Sequence, residues 1–436
     1  MNQTSILRSR TNKISLALCT VLSMLSIIFF TAICVSQTET EYAEYETPGV
    51  LKAHEILPPE LLEGENFRVS EEVVTYGFTN YYTIETPYGT FEVEGDDMLR
   101  TRTHEVKAIT ALRNIKKTKA FGNAAKKAAK SSVKGALSLI SHPVNTVSGV
   151  PKGVGRLFSR VGEMFKGKRG DSEDSVTKEL IGFSRVKRQY AHKMGVDVYS
   201  SNEVLQKELN SVSWAGFAGG AGVSLATLAV KTASKVAYIS IRGTKFVYGM
   251  NNILMDYAPE DLRRLNRENL VQMGMEEPVI EEFLFHPKFS PRHKTFIVHA
   301  LAEMEGVKNR DQFIKQALLA ESELDAFIFQ KIAEMLYGYH TQVGRISEII
   351  PVRRIAVGYT KDQAIVIALP TDYIYWTERA SLGLQAITWL QSGERPVKRT
   401  ELWVTGRLTS RAKEEIEAKG LIVKEQIGDR LMPPSL

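Results

Sequence analysis

Few residues in this chain are spaced for chemistry. His286, His293 and His299 lie close in sequence, and Glu303 follows His299 by one helical turn on the same face. A pair at i, i+4 can ligate zinc, and His286 or His293 could supply a third ligand. The spacing matches no established zinc signature, and there is no His-Glu-x-x-His, so ordinary structural histidines are the competing reading. His293, between Arg292 and Lys294, reads as a surface residue. Asp372, just past Ala368-Leu369-Pro370, and Glu378 could form a paired acid for hydrolysis, with a turn or helix-cap role as the alternative. Gly149, Gly153 and Gly155 are not a phosphate loop, because no Gly-Lys-Ser/Thr follows them, and no Gly-x-Ser-x-Gly elbow occurs. No catalytic residue, resident metal or cofactor is assigned on these grounds, and the reading leans away from an enzyme.

The N-terminus speaks about location. Arg8, Arg10 and Lys13 precede an uncharged run from Ile14 to Gln37, and acidic residues dominate after it. That is the layout of an export signal or signal anchor with its N-terminus inside. The 22 residues from Ile14 to Val35 approach the roughly 20 needed to span a bilayer, which favours an anchor, while small residues near Cys34 and Ser36 also allow cleavage. Both cysteines, Cys19 and Cys34, lie in this run, so the remainder has no thiol for a disulfide, a nucleophile or a thiolate metal site.

Charge reverses along the chain. Val35–Arg100 holds 15 acidic and 3 basic residues, whereas Thr101–Gly170 holds 16 basic residues against Glu105 and Glu163. Pro151 suits a first helical position, and Val154, Leu157, Phe158, Val161 and Phe165 then fall on one stripe, with Lys152, Arg156, Arg160 and Lys166 on the other faces. Such a helix either binds an anionic membrane surface, through Lys152, Arg156, Leu157, Phe158, Arg160 and Lys166, or docks on the protein's own core. Nucleic acid is excluded as a partner because export takes the protein away from it.

Around these features the periodicity predicts an α+β, predominantly helical chain. Residues 1–36 form the signal or anchor and 37–65 an acidic linker. A small β unit over 66–100 uses Phe67–Tyr76, Tyr82–Thr86 and Phe91–Glu94 as a hairpin or three-stranded meander, turning at Thr86-Pro87-Tyr88-Gly89. The basic helical arm and its linker occupy 101–175. A helical domain follows over 176–350, with helices opening at Pro259 and Ser290-Pro291, a capping box at Asn309/Gln312, and an apolar stripe from Leu324 to Tyr339. Within it, Ser211–Val230 has no charge and several small-xxx-small pairs, fitting a buried core helix or a membrane-inserting element. Residues 351–436 form an α+β unit: a hairpin of Arg354–Thr360 and Ala364–Leu369, a helix near Glu378–Gln391, and a parallel or split strand–helix–strand unit at the end.

Gly182-Phe183-Ser184, Gly195-Val196-Asp197-Val198-Tyr199-Ser200-Ser201-Asn202, Ser290-Pro291-Arg292-His293 and Leu402-Trp403-Val404-Thr405-Gly406 with Leu408-Thr409 resemble segments of an uncharacterised family of exported bacterial envelope proteins. The similarity covers most of the chain after Pro48. It implies an envelope location and brings no activity with it. The expectation is thus a non-enzymatic envelope protein that binds an anionic lipid surface or partner through its basic arm. The rivals are an exported hydrolase using the His/Glu or Asp/Glu groups, and a membrane-inserting protein using Ser211–Val230.

Overall fold

Alternation of apolar and polar residues drives the first sheet. In this computed structural model, which describes residues 44–130, 183–218 and 245–431, β1 (Val50–Lys52) is followed by two helical turns, α1 (Ala53–Ile56) and α2 (Pro59–Leu62). Then come β2 (Glu63–Gly64), β3 (Phe67–Val69), β4 (Glu72–Thr75), β5 (Asn80–Thr86) and β6 (Gly89–Glu94). The seven-residue β5 is the spine of this sheet. β6 pairs along one of its edges, while β4 and β3 pair with the start and the end of the other. The meander expected from sequence is therefore a six-stranded sheet. The run Phe67–Tyr76 is divided because Val69 pairs with Ile84 and Val74 with Tyr81, so four residues stand opposite two of β5 and the chain bulges between β3 and β4. Part of the stretch expected to be linker also folds: Leu57 and Leu61 are buried in the first core, and β1 pairs with β4. The Thr86–Gly89 turn forms as its chemistry requires. The Thr86 hydroxyl donates to the Gly89 carbonyl and accepts from the Tyr88 N–H, and Gly89 takes a φ of 121°.

Helix α3 (Asp96–Lys116) closes this sheet. Leu99, Val106, Ile109, Leu112 and Ile115 recur at helical spacing and are buried, so one helix serves two cores, against the sheet at its start and against helices at its end. Next come α4 (Lys119–Lys130), α5 (Phe183–Met194), α6 (Glu203–Ala218), α7 (Lys245–Asp256), α8 (Pro259–Gln272), α9 (Glu277–Leu284), α10 (Pro291–Ala302), α11 (Arg310–Ala317) and α12 (Glu323–Gln342). Proline opens α8 and α10 as expected, and Ser290 and Ser322 make capping boxes for α10 and α12. Asn309 does not cap α11. It lies in the left-handed region at φ 59°, and its amide reaches Glu348 instead. The described part of the uncharged stretch, Ser211–Ala218, belongs to α6. There Trp214 stacks on Phe183, with ring centroids 4.5 Å apart, and a Cβ on Gly216 would meet the Tyr190 hydroxyl at 2.9 Å. No helix among the described residues is long and apolar enough to cross a membrane.

The second sheet begins earlier than expected, with β7 (Ile346–Val352), and continues through β8 (Ile355–Thr360) and β9 (Ala364–Leu369). After the two-residue β10 (Tyr373–Ile374) come α13 (Glu378–Gln391), β11 (Arg399–Val404), β12 (Arg407–Leu408), α14 (Ser410–Ala418), β13 (Leu421–Lys424) and α15 (Gly428–Leu431). Strand order is β13-β11-β9-β8-β7, with β9, β11 and β13 parallel and β7 and β8 antiparallel. Strand β9 is buried along nearly its whole length, as a central parallel strand must be. The described residues from Thr47 onward belong to one compact unit of mixed α/β fold in which helix predominates.

Candidate functional site

The C-terminal ends of parallel strands are where α/β folds present their polar loops, and the perturbed acid of this protein sits there. Asp372 follows β9 at the edge of the small β10/β12 ribbon. The approach is tight, because a Cβ on Gly406 would lie 1.9 Å from the Asp372 carbonyl oxygen. Every polar group of Asp372 is engaged. Its N–H donates to the Phe78 carbonyl, 2.9 Å, and its carbonyl accepts from the Arg407 N–H, 3.0 Å. Carboxylate Oδ2 accepts from the Asn80 N–H, 2.8 Å, and Oδ1 from the Asp96 N–H, 3.0 Å. Helix α3 starts after Gly95, which has no side chain to cap it, and Asp372 supplies the missing acceptor from 276 residues away.

Asp96 completes the constellation. Its Oδ1 accepts from the Tyr82 hydroxyl, 2.5 Å, and from Asn80 Nδ2, 3.3 Å, while Asn80 Nδ2 also reaches the Tyr82 oxygen at 3.1 Å. Among the described residues no cation hydrogen-bonds to either carboxyl, and Arg100 acts on Asp96 only through its charge. Burial, and then the charge of Asp96, push the Asp372 carboxyl up to about 8 despite its two backbone donors. Burial raises Asp96 as well, against the hydrogen bonds from Tyr82 and Asn80. Desolvation and Asp96 likewise raise the Tyr82 phenol. Both carboxyls are therefore shifted toward their protonated forms, chiefly by burial and, for Asp372, by the neighbouring acid. Asn80 Oδ1 and Thr371 Oγ1 are buried beside them and find no hydrogen-bond partner among the described residues.

Of the two roles the sequence left open for Asp372, an acid paired with Glu378 or a turn or helix cap, the hydrogen bond from the Asp96 N–H gives it the cap. Glu378 is exposed in the first turn of α13, whose cap is Thr377, and it makes no hydrogen bond to Asp372 among the described residues. The histidines are used separately. His293, expected at the surface, is buried. It closes the Ser290 capping box by accepting from the Ser290 N–H, and burial lowers its pKa to about 3. His286 accepts from the Lys288 N–H and packs edge-on against Phe289. His299 is lowered by burial, and its Nε2 has no hydrogen-bond partner among the described residues. Glu303 is the exposed C-cap of α10. No group of three or more His, Cys, Asp or Glu able to hold a metal occurs among the described residues.

Two other buried acids had no sequence signal. Glu105 accepts from Arg102, Ser200 and Asn202, and burial raises its pKa against those contacts. Glu401 accepts from the Tyr339 hydroxyl, Trp403 Nε1 and Arg399. Residues Lys152, Arg156, Leu157, Phe158, Arg160 and Lys166 lie outside the described residues, as do Ile14–Val35 and the part of the glycine-rich stretch beyond Ala218. What is described of the basic stretch is α3 and α4. Arg113 and Lys116 pair with the buried Glu208. Helix α4 buries Ala124 with the Leu205, Leu209 and Val212 core, and Lys117, Lys119 and Lys126 remain exposed. No protein family, curated protein or solved structure matches this chain.

Proposed function

We propose that this is an exported bacterial envelope protein, anchored in or delivered across the inner membrane by its first 36 residues. It binds an anionic membrane surface or partner through its basic arm and performs no chemistry. The observation that carries the reading is the first turn-and-helix of that arm. Helix α4 packs Ala124 into the core that α6 lines and leaves Lys119 and Lys126 in solvent, with Lys117 exposed just before it, at the entrance to a stretch that brings seven more basic residues by Arg169. A docked helix with a lysine-rich outer side attracts anionic surfaces, each cation contributing about 1 kcal/mol. The hydrolase reading is less well supported. Asp372 has both carboxylate oxygens on backbone N–H groups and no hydrogen bond to Glu378 among the described residues, and His293 closes the cap of its own helix.

The test uses a chain beginning at Thr38, which removes the apolar N-terminal run. It is expected to bind phosphatidylglycerol-containing vesicles more tightly than phosphatidylcholine vesicles, with binding that falls as salt rises. Replacing Lys119, Lys126, Lys152, Arg156 and Arg160 by Glu removes the binding while the circular dichroism spectrum is kept. Equal affinity for the two vesicle types at low salt would refute the proposal.

A further inference from the structure

The first sheet turns one face to α3 and the other to solvent, and the solvent face is unusual. Strand alternation sends Val73, Tyr82, Ile84 and Val93 inward. The register then aligns Val50 with Val74, Val74 with Tyr81, and Tyr81 with Glu94 in one row across four strands. In that row Val50 is 57% and Val74 40% exposed. Tyr76, 69% exposed, lies edge-on to Tyr81 with ring centroids 5.0 Å apart. Around this apolar and aromatic row the exposed charges are mostly acidic: Glu72, Glu85, Glu92 and Glu94, against Lys52 and Arg68. Arg379 stands at one edge, over Phe78.

An apolar row in an acidic field repels an anionic membrane and fits a cationic segment that carries apolar side chains. We propose that the occupant is the chain's own segment 151–166, seated on the outer face of the first sheet when no anionic surface competes for it. Three observations select it. The acidic stretch Val35–Arg100 and the basic stretch Thr101–Gly170 are consecutive and nearly balance, at 15 acidic to 3 basic and 16 basic to 2 acidic residues. The segment combines Leu157, Phe158 and Phe165 with Lys152, Arg156, Arg160 and Lys166, matching a surface that offers Val, Tyr and Glu. Its reach suffices as well. The chain between the end of α4 and Pro151 can extend on the order of 70 Å, against a radius of gyration of about 20 Å for a domain of this size. The lysines and arginines proposed above to face lipid then face the sheet in its absence, so the acidic face regulates the arm. The docking stands without that reading, and only the competition with lipid rests on it.

The experiment is zero-length carbodiimide cross-linking of the full chain in a neutral detergent, read by mass spectrometry. Cross-links from Lys152 or Lys166 to Glu72, Glu85, Glu92 or Glu94 at low salt, lost at high salt, are expected. Their absence, or cross-links of these lysines only to carboxylates elsewhere, overturns the proposal. Replacing Val74→Ser together with Tyr76→Ser leaves the net charge unchanged and alters only exposed side chains. It is expected to abolish the cross-links and, by freeing the arm, to tighten binding to phosphatidylglycerol-containing vesicles about tenfold. Cross-links in the parent chain without vesicle binding would sink the lipid reading and leave the docking intact. Vesicle binding that is equal in parent and variant, with no cross-links, would do the reverse.

Discussion

The two ends of α3 are held by carboxylates that do the same job with opposite proton balance. At its C-terminal end Glu208, from α6, accepts from Arg113 Nε at 2.9 Å and Lys116 Nζ at 2.8 Å. Burial pushes the Glu208 carboxyl up, but the hydrogen bonds from the two cations together outweigh it and hold the group below its usual range. At its N-terminal end Asp372 ties α3 to the second sheet with backbone N–H groups alone, next to a second acid, and its carboxyl is pushed up to about 8. A distant carboxylate can thus be a charged clamp or a proton-holding one, and what decides is whether a cation comes with it. The difference also fixes how each end fails. Glu208 contributes stability that is present above its unfolded value near 4.5 and lost as pH falls through its lower folded value. Asp372 contributes stability that is full below its unfolded value near 3.8 and lost as pH rises through about 8.

The largest effect should come from crowding the N-terminal clamp. Gly406→Ala puts a Cβ against the Asp372 carbonyl and is expected to destabilise the fold by about 3 kcal/mol, measured by urea denaturation. An unchanged midpoint would mean that the β10/β12 ribbon yields freely. Next, Asp372→Ala strips the acceptor from the Asn80 and Asp96 N–H groups and should cost about 2 kcal/mol, with hydrogen exchange accelerating first at the start of α3. Uniform acceleration along the whole helix would count against a local clamp. At the other end Glu208→Gln should cost only about 1 kcal/mol, because Arg113 and Lys116 are half-exposed and can be solvated. It should also flatten the loss of melting temperature between pH 5 and pH 3. The smallest change at neutral pH is expected from Asp96→Asn, which keeps an oxygen for Tyr82 and Asn80 and removes the charge. Asp372 then titrates lower, so the fall in melting temperature from pH 6 to pH 9 shrinks. A steeper alkaline fall would show that the coupling between the two acids had been misread.

The histidines teach the same point from the other side. Three of them within two turns and a loop looked like ligands because sequence reports distance along the chain. Yet His293 turns back to cap its own helix, and His286 packs on Phe289. Asp372 was visible as a lone acid after an apolar strand, but Asp96 could not be named as its neighbour. The sequence even pointed elsewhere, since Asp96 and Asp97 look like caps; the structure places both inside the first turn of α3 and leaves Gly95 at the cap, so the acceptor comes from Asp372. Strand β1 was hidden because a three-residue strand among glutamates carries too little period to stand out.

What this sequence determined by itself is whatever acts within a few residues. The proline starts of α8 and α10, the Ser290 and Ser322 caps, the Thr86–Gly89 turn and the limits of β9 and α13 all follow from backbone sterics, short side-chain hydrogen bonds and periodic burial. Only the tertiary structure decided which charges are clamped and which keep a proton. Desolvation and the presence of a cation depend on residues that lie from 92 to 276 positions apart in the chain and about 3 Å apart in space.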